Sequence, residues 1–364
     1  MKPAEIVRPL GVFVIVIAVI LAGSAVLGAV AGGGGGAPTG GENVQGQSPG
    51  QFQPGSVNPD VDPETGEITV DADDGTKKVL VDNQHGNAYD RDDIEPLVEA
   101  LAEAGHTVDF APSGSSDSGG FGPSPGYNAT LQEYDALLVI NPTEGFTEDE
   151  RAGLGTYLDN DGRVVVLGEP TQTGVSGGGL IASLSTVSFG ANDLTTQYGA
   201  RMGAEALFNV DDSANDNGFK SIYAEPESTS SLSEGVDTVT FENPGYIVRT
   251  GESDATVLYT AVDGTKTLET RRNGTYATVV RNDNLVFVSD SDFVDQDEVY
   301  DADNEVFVSN LLDFLTSGDK PDDVPETATD SGFGDGNGFG DGDEDTPTGQ
   351  ESGTVTPTPT ASGP

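Results

Sequence analysis

Two short polar runs hold the side chains best suited to chemistry. Asp82, Asn83, His85 and Asn87 lie in VLVDNQHGN, directly after an apolar run, and Asp290, Ser291 and Asp292 lie in VFVSDSDF, directly after another. Carboxylates, amides and a hydroxyl with one imidazole form an oxygen-rich set that suits a divalent cation or a sugar, provided the two runs end neighbouring strands of an open sheet. Asp82, His85, Asp290 and Asp292 are the metal-ligand candidates. Asn141 and Glu169, the polar residues that close YDALLVIN and RVVVLGE, complete the ligand-binding set. The plainer alternative is that Asp and Asn at such places cap the helices and turns that follow. His85 is the sharper probe, because the chain has only two histidines and His106 merely opens a strand-like run.

Other motifs carry less. Gly174-Val175-Ser176-Gly177-Gly178 has the G-x-S-x-G form, but residues 169–173 separate it from the preceding strand and no histidine follows it, so a serine hydrolase is disfavoured. Asp335-Gly336-Asn337-Gly338 and Asp341-Gly342-Asp343-Glu344-Asp345 alternate carboxylates with glycine as calcium loops do, without the spacing or closing glutamate of an EF-hand. Asn128-Ala129-Thr130 and Asn273-Gly274-Thr275 are glycosylation acceptors. Cysteine is absent, which removes disulfides, thiolate metal sites and cysteine nucleophiles together. No catalytic residue is assigned, and no cofactor is expected beyond a candidate divalent cation.

The elements that must position these groups begin with residues 77–110. A strand at 78–81, an amphipathic helix at 92–104 closed by Gly105, and a strand at 106–110 read as a βαβ opening. Strands follow at 134–140 and 163–168, with a helix from the Thr147/Glu150 capping box to 160 between them. A short helix is expected at 180–187. Residues 219–281 change character, with strand-like runs divided by turns such as Asp263-Gly264 and Asn273-Gly274, and read as an antiparallel β-rich insertion or subdomain. A buried strand at 284–289 and a helix at 304–315 close the unit. The polar turn 82–87 lacks G-x-G-x-x-G, so a dinucleotide site is not expected.

The domain organisation follows: a cytoplasmic stretch 1–8, a transmembrane signal anchor 9–31, a flexible linker 32–75, an α/β domain 76–317 and a disordered acidic and Thr/Pro-rich tail 318–364. Residues 9–31 carry no charge, follow Lys2 and Arg8, and are long enough to span a bilayer, which sends the rest of the chain outside the cell membrane. Ala29-Val30-Ala31 resembles a cleavage site, but the apolar run is too long for a signal peptide. With 62 acidic against 15 basic residues the formal charge is -47, which repels nucleic acid and suits a high-salt environment.

The ordered set VLVDNQHGN, YDALLVINP, RVVVLGE, SFG and VFVSDSDF with DNEVFVSNLLDFL resembles a membrane-anchored domain-of-unknown-function family. That family lies in the class I glutamine-amidotransferase-like superfamily and is related to gliding-motility ABC-transport auxiliary domains. The resemblance implies a flavodoxin- or Rossmann-like, doubly wound, mostly parallel sheet tethered to a membrane, without an established reaction. The superfamily's cysteine chemistry does not carry over to a chain without cysteine. The leading expectation is a non-catalytic extracytoplasmic ligand- or partner-binding protein, accessory to an ABC-transport or envelope system. A metal-assisted hydrolase is the alternative, and a structural glycoprotein spacer the third.

Overall fold

The computed structural model describes residues 64–71, 75–112, 126–176, 183–251 and 254–326. The expected membrane anchor at 9–31, the linker up to residue 63 and the tail from 327 lie outside the described residues. Among the described residues no helix is long and apolar enough to cross a membrane.

In chain order the elements are β1 (Lys78–Val81), α1 (Glu95–Glu103), β2 (Thr107–Phe110), α2 (Tyr127–Leu131), β3 (Ala136–Ile140), α3 (Glu148–Asp159) and β4 (Arg163–Leu167). Next come β5 (Gln172–Ser176), β6 (Ser183–Val187), α4 (Asn192–Thr195), β7 (Ala200–Met202) and β8 (Leu207–Phe208). The chain continues through β9 (Ser221–Pro226), β10 (Val239–Glu242), β11 (Ile247–Arg249), β12 (Thr256–Ala261) and β13 (Lys266–Thr267). It closes with β14 (Ala277–Asn282), β15 (Leu285–Val288) and α5 (Asn304–Thr316). The fold is mixed α/β, with one 11-stranded sheet in the order β10-β9-β12-β14-β15-β4-β3-β1-β2 and β11 and β7 branching from β14. From β15 to β2 the strands are parallel, and from β14 to β10 they are antiparallel.

Parallel strands are covered on both faces, which is why β3 and β15 are apolar at every position rather than alternating. Side chains still divide by parity. Val79, Val81, Val165, Leu167, Val286 and Val288 pack with α1 and α5, whereas Leu80, Val164, Val166 and Phe287 pack with α2, α3 and α4. Helix α3 starts at the expected capping box: Thr147 N–H donates to Glu150 Oε2 (2.7 Å) and Glu150 N–H to Thr147 Oγ1 (3.3 Å). Gly105 closes α1 with φ of 93°, a left-handed position that glycine occupies without cost.

Four expectations change. Residues 183–187 form a strand paired antiparallel to β5, not a helix, because the Ser-Leu-Ser-Thr-Val alternation has the two-residue period of a hairpin. The β-rich stretch 219–281 is no subdomain: β9, β10, β12 and β14 continue the main sheet. Residues 64–71 of the expected linker lie along α5, with Thr69 N–H donating to Ser309 Oγ (3.0 Å) and Asp71 N–H to Asp313 Oδ1 (2.6 Å). The start of the expected tail also packs, with the Lys320 ammonium donating to Gln132 O (2.9 Å).

At the outer strand β10 a buried side chain pairs with the backbone of Thr240. Asn304 accepts from Thr240 N–H (2.9 Å) and donates to Thr240 O (3.0 Å), occupying hydrogen-bonding groups that an added strand would need. Asn304→Ala therefore leaves buried backbone groups unpaired and should lower the unfolding free energy by about 2–4 kcal/mol, read by chemical denaturation.

Candidate functional site

Strands β4 and β15 are register neighbours, with Leu167 opposite Val288, so the residues that follow them emerge side by side. Glu169 and Asp290 continue the parity of Leu167 and Val288 toward the α1 and α5 face. Both are buried, and one oxygen each from Glu169, Asp290 and Asp292 lies within 4.8 Å of the others. Glu169 Oε1 accepts from the Ser291 amide (2.6 Å) and hydroxyl (2.8 Å). Asp290 accepts from Glu242 N–H (3.1 Å) and Asp292 N–H (3.3 Å). These donors hold the carboxylates in place without adding positive charge.

The electrostatic consequence is large. Burial, with the charge of Asp292 added, pushes Glu169 up to about 8 despite the Ser291 donors. Burial first, then the charges of Glu169 and Asp292, raises Asp290 well above the carboxylate range. Asp292 is raised by burial and by Glu242 and Asp93. Beyond them Asp295 is lifted to about 7, chiefly by burial and the Asp292 charge. Such a set either shares protons or takes up positive charge.

A crevice of about 380 Å³ opens beside the cluster, lined by Asn87, Tyr89, Asp90, Asp93, Ser291 and Asp292, among others. One wall is the loop after β1, the other is the turn after β15, and Ile140 at the end of β3 lies between. The loop is firmly placed. Asn87 Nδ2 donates to Ile140 O (2.9 Å), and Asn141, held at φ of 41°, donates through Nδ2 to Ala88 O (3.2 Å). Asn87, Ser291 and Asp292 thus line the crevice, Asn141 shapes it, and Asn83 is half-buried away from it.

Asp82 and His85 form a different cluster. Strands β3 and β4 separate β1 from β15, roughly 14 Å at ordinary strand spacing. Asp82 also continues the parity of Leu80, toward α2 and α3. The expected metal set of Asp82, His85, Asp290 and Asp292 is therefore split between two faces. His85 Nδ1 lies 2.9 Å from Asp82 Oδ2 and Nε2 lies 3.5 Å from Glu150 Oε2. Its ring stacks on Phe146 at 3.7 Å and meets Tyr127 edge-on at 5.1 Å. Burial opposes the charged ring, but the Asp82 hydrogen bond and the charges of Asp82 and Glu150 outweigh it, so the pKa is raised. His85 ties β1 to the start of α3 and does not face the crevice.

The two glycosylation acceptors also part. Asn273 is exposed, whereas Asn128 Nδ2 donates to Asp149 O (2.9 Å) and its oxygen is buried. Ser176 ends β5 in a hairpin, so G-x-S-x-G forms no strand-to-helix elbow, and its last two glycines lie outside the described residues. Tyr89, Asp90, Asp93 and Asp295 were not anticipated at the crevice. The signal was the DRDD run at 90–93, which reads equally as helix-start acids. Glu150 shows the same ambiguity, since it serves both the α3 capping box and His85.

The family described as a domain of unknown function (DUF4350) matches residues 123–312, more than half of the chain. No curated protein matches. Among solved structures, the chain is similar to the mmIFT52 N-terminal domain at 12% identity and TM-score 0.48, over 66% of this chain and 98% of that one. It is also similar to the cytoplasmic protein STM1381 from Salmonella typhimurium LT2 (12% identity, TM-score 0.35, 65% of this chain and 99% of that one). A third similarity is to the exo-beta-1,4-mannosidase Op5Man5 from Opitutaceae bacterium strain TAV5 (11% identity, TM-score 0.33, 68% of this chain and 37% of that one).

Two outcomes are expected. His85→Ala leaves the buried Asp82 without its hydrogen-bond partner and should cost about 3–5 kcal/mol in denaturant melts, whereas Asp290→Asn, which removes one of the repelling carboxylates, should cost far less at pH 8. Glu169 binds its proton more tightly folded (about 8) than at its ordinary value of 4.5, so its contribution is fully present below 4.5 and is lost as pH rises through 8. His85, also raised, acts in the same sense, with stability lost as pH rises through its folded value above 6.5. The melting temperature in dilute buffer should therefore fall between pH 5 and pH 8.5, and Glu169→Gln should flatten that fall.

Proposed function

Because the chain belongs to the DUF4350 family, described only as a domain of unknown function, we propose from the site itself that it is a non-catalytic ligand-binding domain. The ligand is a cation or a hydroxyl-rich molecule seated in the acidic crevice at the carboxyl edge of the parallel sheet. The observation that carries this reading is the convergence of Glu169, Asp290 and Asp292 within 4.8 Å beside a crevice of about 380 Å³ walled by Asp90, Asp93 and Asp295. A divalent cation there would neutralise carboxylates that otherwise repel one another in a buried setting, and its remaining coordination positions would face the crevice. Anionic ligands are disfavoured by the same charges.

The strand order supports the finer fold reading. Taken as β2-β1-β3-β4-β15, the parallel strands follow the 2-1-3-4-5 order of flavodoxin-like doubly wound sheets. The crevice lies over the ends of β1 and β3, the point where such sheets reverse direction and bind ligands. This agrees with the resemblance to the glutamine-amidotransferase-like superfamily and its gliding-motility relatives. The hydrolase alternative needed His85 among the metal ligands, and His85 is engaged on the other face.

The residues at 9–31 motivate the rest of the reading: a single-pass anchor with the domain outside the cell membrane, working with ABC-transport or envelope components, in a salt-rich setting that suits a charge of -47. Carbonate extraction of native membranes should leave the chain in the pellet, and release to the supernatant would remove the anchor. For the site, titration calorimetry of the full chain with Ca²⁺, Mn²⁺ and glucose should give saturable heat with at least one of them, lost in Asp290→Asn/Asp292→Asn. Absence of heat with all three, or heat unchanged in the double variant, would contradict the reading.

A further inference from the structure

A second cavity, of about 420 Å³, lies past the end of β4 on the opposite face, bounded by Phe189, Met202, Tyr246, Arg201, Val248 and Thr250, among others. Its walls depend on close backbone approach. A Cβ on Gly203 would run into the Tyr246 ring, and one on Gly168 into Phe189, so glycine at both places lets the rings form the lining. Hydrogen bonds fix the frame: Met202 N–H donates to Asn192 Oδ1 (2.8 Å), Gly203 N–H to Tyr246 O (2.7 Å) and Thr171 N–H to Ala204 O (3.1 Å).

Charge distinguishes this cavity from the others. The crevice carries Asp90, Asp93, Asp292 and Asp295, a groove beside α1 carries Glu95, Glu99 and Glu103, and a cavity at the amino edge carries Asp159 and Asp283. The lining around Phe189 and Met202 contains no carboxylate, in a chain with 62 acidic residues, and it contains Arg201. Among the described residues the Arg201 guanidinium makes no ion pair or hydrogen bond, although the protein offers carboxylates in excess. Arg201 and Val248 are direct cross-strand partners in β7 and β11, and Val248 is 47% exposed. An unpaired cation and an apolar surface therefore stand side by side at the mouth.

We propose that this cavity binds a small carboxylate bearing a short apolar chain, the Arg201 guanidinium holding the carboxylate while its cross-strand partner Val248 and the half-buried Tyr246 cover the chain. A guanidinium pairs with a carboxylate through two parallel N–H···O bonds, and the apolar walls add burial that a mineral anion cannot use. Elsewhere the negative field disfavours such a ligand, so the site is selective by contrast with its surroundings. The ligand's source is either a free fatty or aromatic acid or the C-terminus of a peptide, and the two share this chemistry.

Titration calorimetry of the full chain at physiological ionic strength decides. Hexanoate or N-acetylleucine should bind at one site, with the tighter of them assigning the source, while hexylammonium, with the same chain and opposite charge, should not. Arg201→Gln should weaken binding roughly tenfold or more, and Arg201→Lys should recover part of it. Arg201 is exposed, so neither change should move the melting temperature. Failure of both carboxylates to bind, equal binding of hexylammonium, or unchanged affinity in Arg201→Gln would overturn the assignment. Asp292→Asn should leave hexanoate binding intact, and loss there would place the ligand in the acidic crevice instead.

Discussion

Like charges buried side by side at the ends of two adjacent strands set the terms for the rest of the carboxyl edge. Parallel pairing of β4 with β15 delivers Glu169 and Asp290 to the same face, and the turn after β15 brings Asp292 back toward them. Buried carboxylates without a counter-charge are costly, and the Ser291, Glu242 and Asp292 donors offset only part of that cost. The remainder appears as tightly held protons, with Glu169 reaching about 8. A protein that keeps such an arrangement beside an open crevice gains from any ligand that supplies positive charge there.

Strand order and side-chain alternation together separate this acidic edge from two other polar arrangements. Asp82 faces α2 and α3, where His85 is held between two carboxylates and against Phe146 and Tyr127. The effect is mechanical: His85 ties the β1 loop to the start of α3, and that loop carries Asn87 and Tyr89 into the crevice wall. Past β4 the cavity bounded by Phe189, Tyr246, Val248 and Arg201 has neutral residues and one arginine in its lining, and no carboxylate.

Much of the scaffold was legible in the sequence, because β1, β3, β4 and β15 are unbroken apolar runs bounded by polar residues, and the α3 capping box is a local signal. The site was legible only in part. Glu169, Asp290, Ser291 and Asp292 could be named as edge residues, but whether they meet Asp82 and His85 depends on strand order, which no local pattern encodes. His85 drew notice for its rarity, and its two carboxylate partners come from β1 and α3, a pairing set by tertiary packing. Asn304 looked like a helix start, while its buried clasp on β10 spans 64 residues of chain. Residues 183–187 are a strand rather than the expected helix because their two-residue alternation favours pairing with β5.

The most direct test of the central claim is a site-resolved NMR titration of the Glu169 carboxyl carbon, with and without Mg²⁺. Without the cation Glu169 should titrate near 8, and with saturating Mg²⁺ its midpoint should drop toward the ordinary carboxylate value as the bound cation replaces the proton. A Glu169 that titrates near 4.5 in the cation-free protein and does not respond to Mg²⁺ would contradict the account.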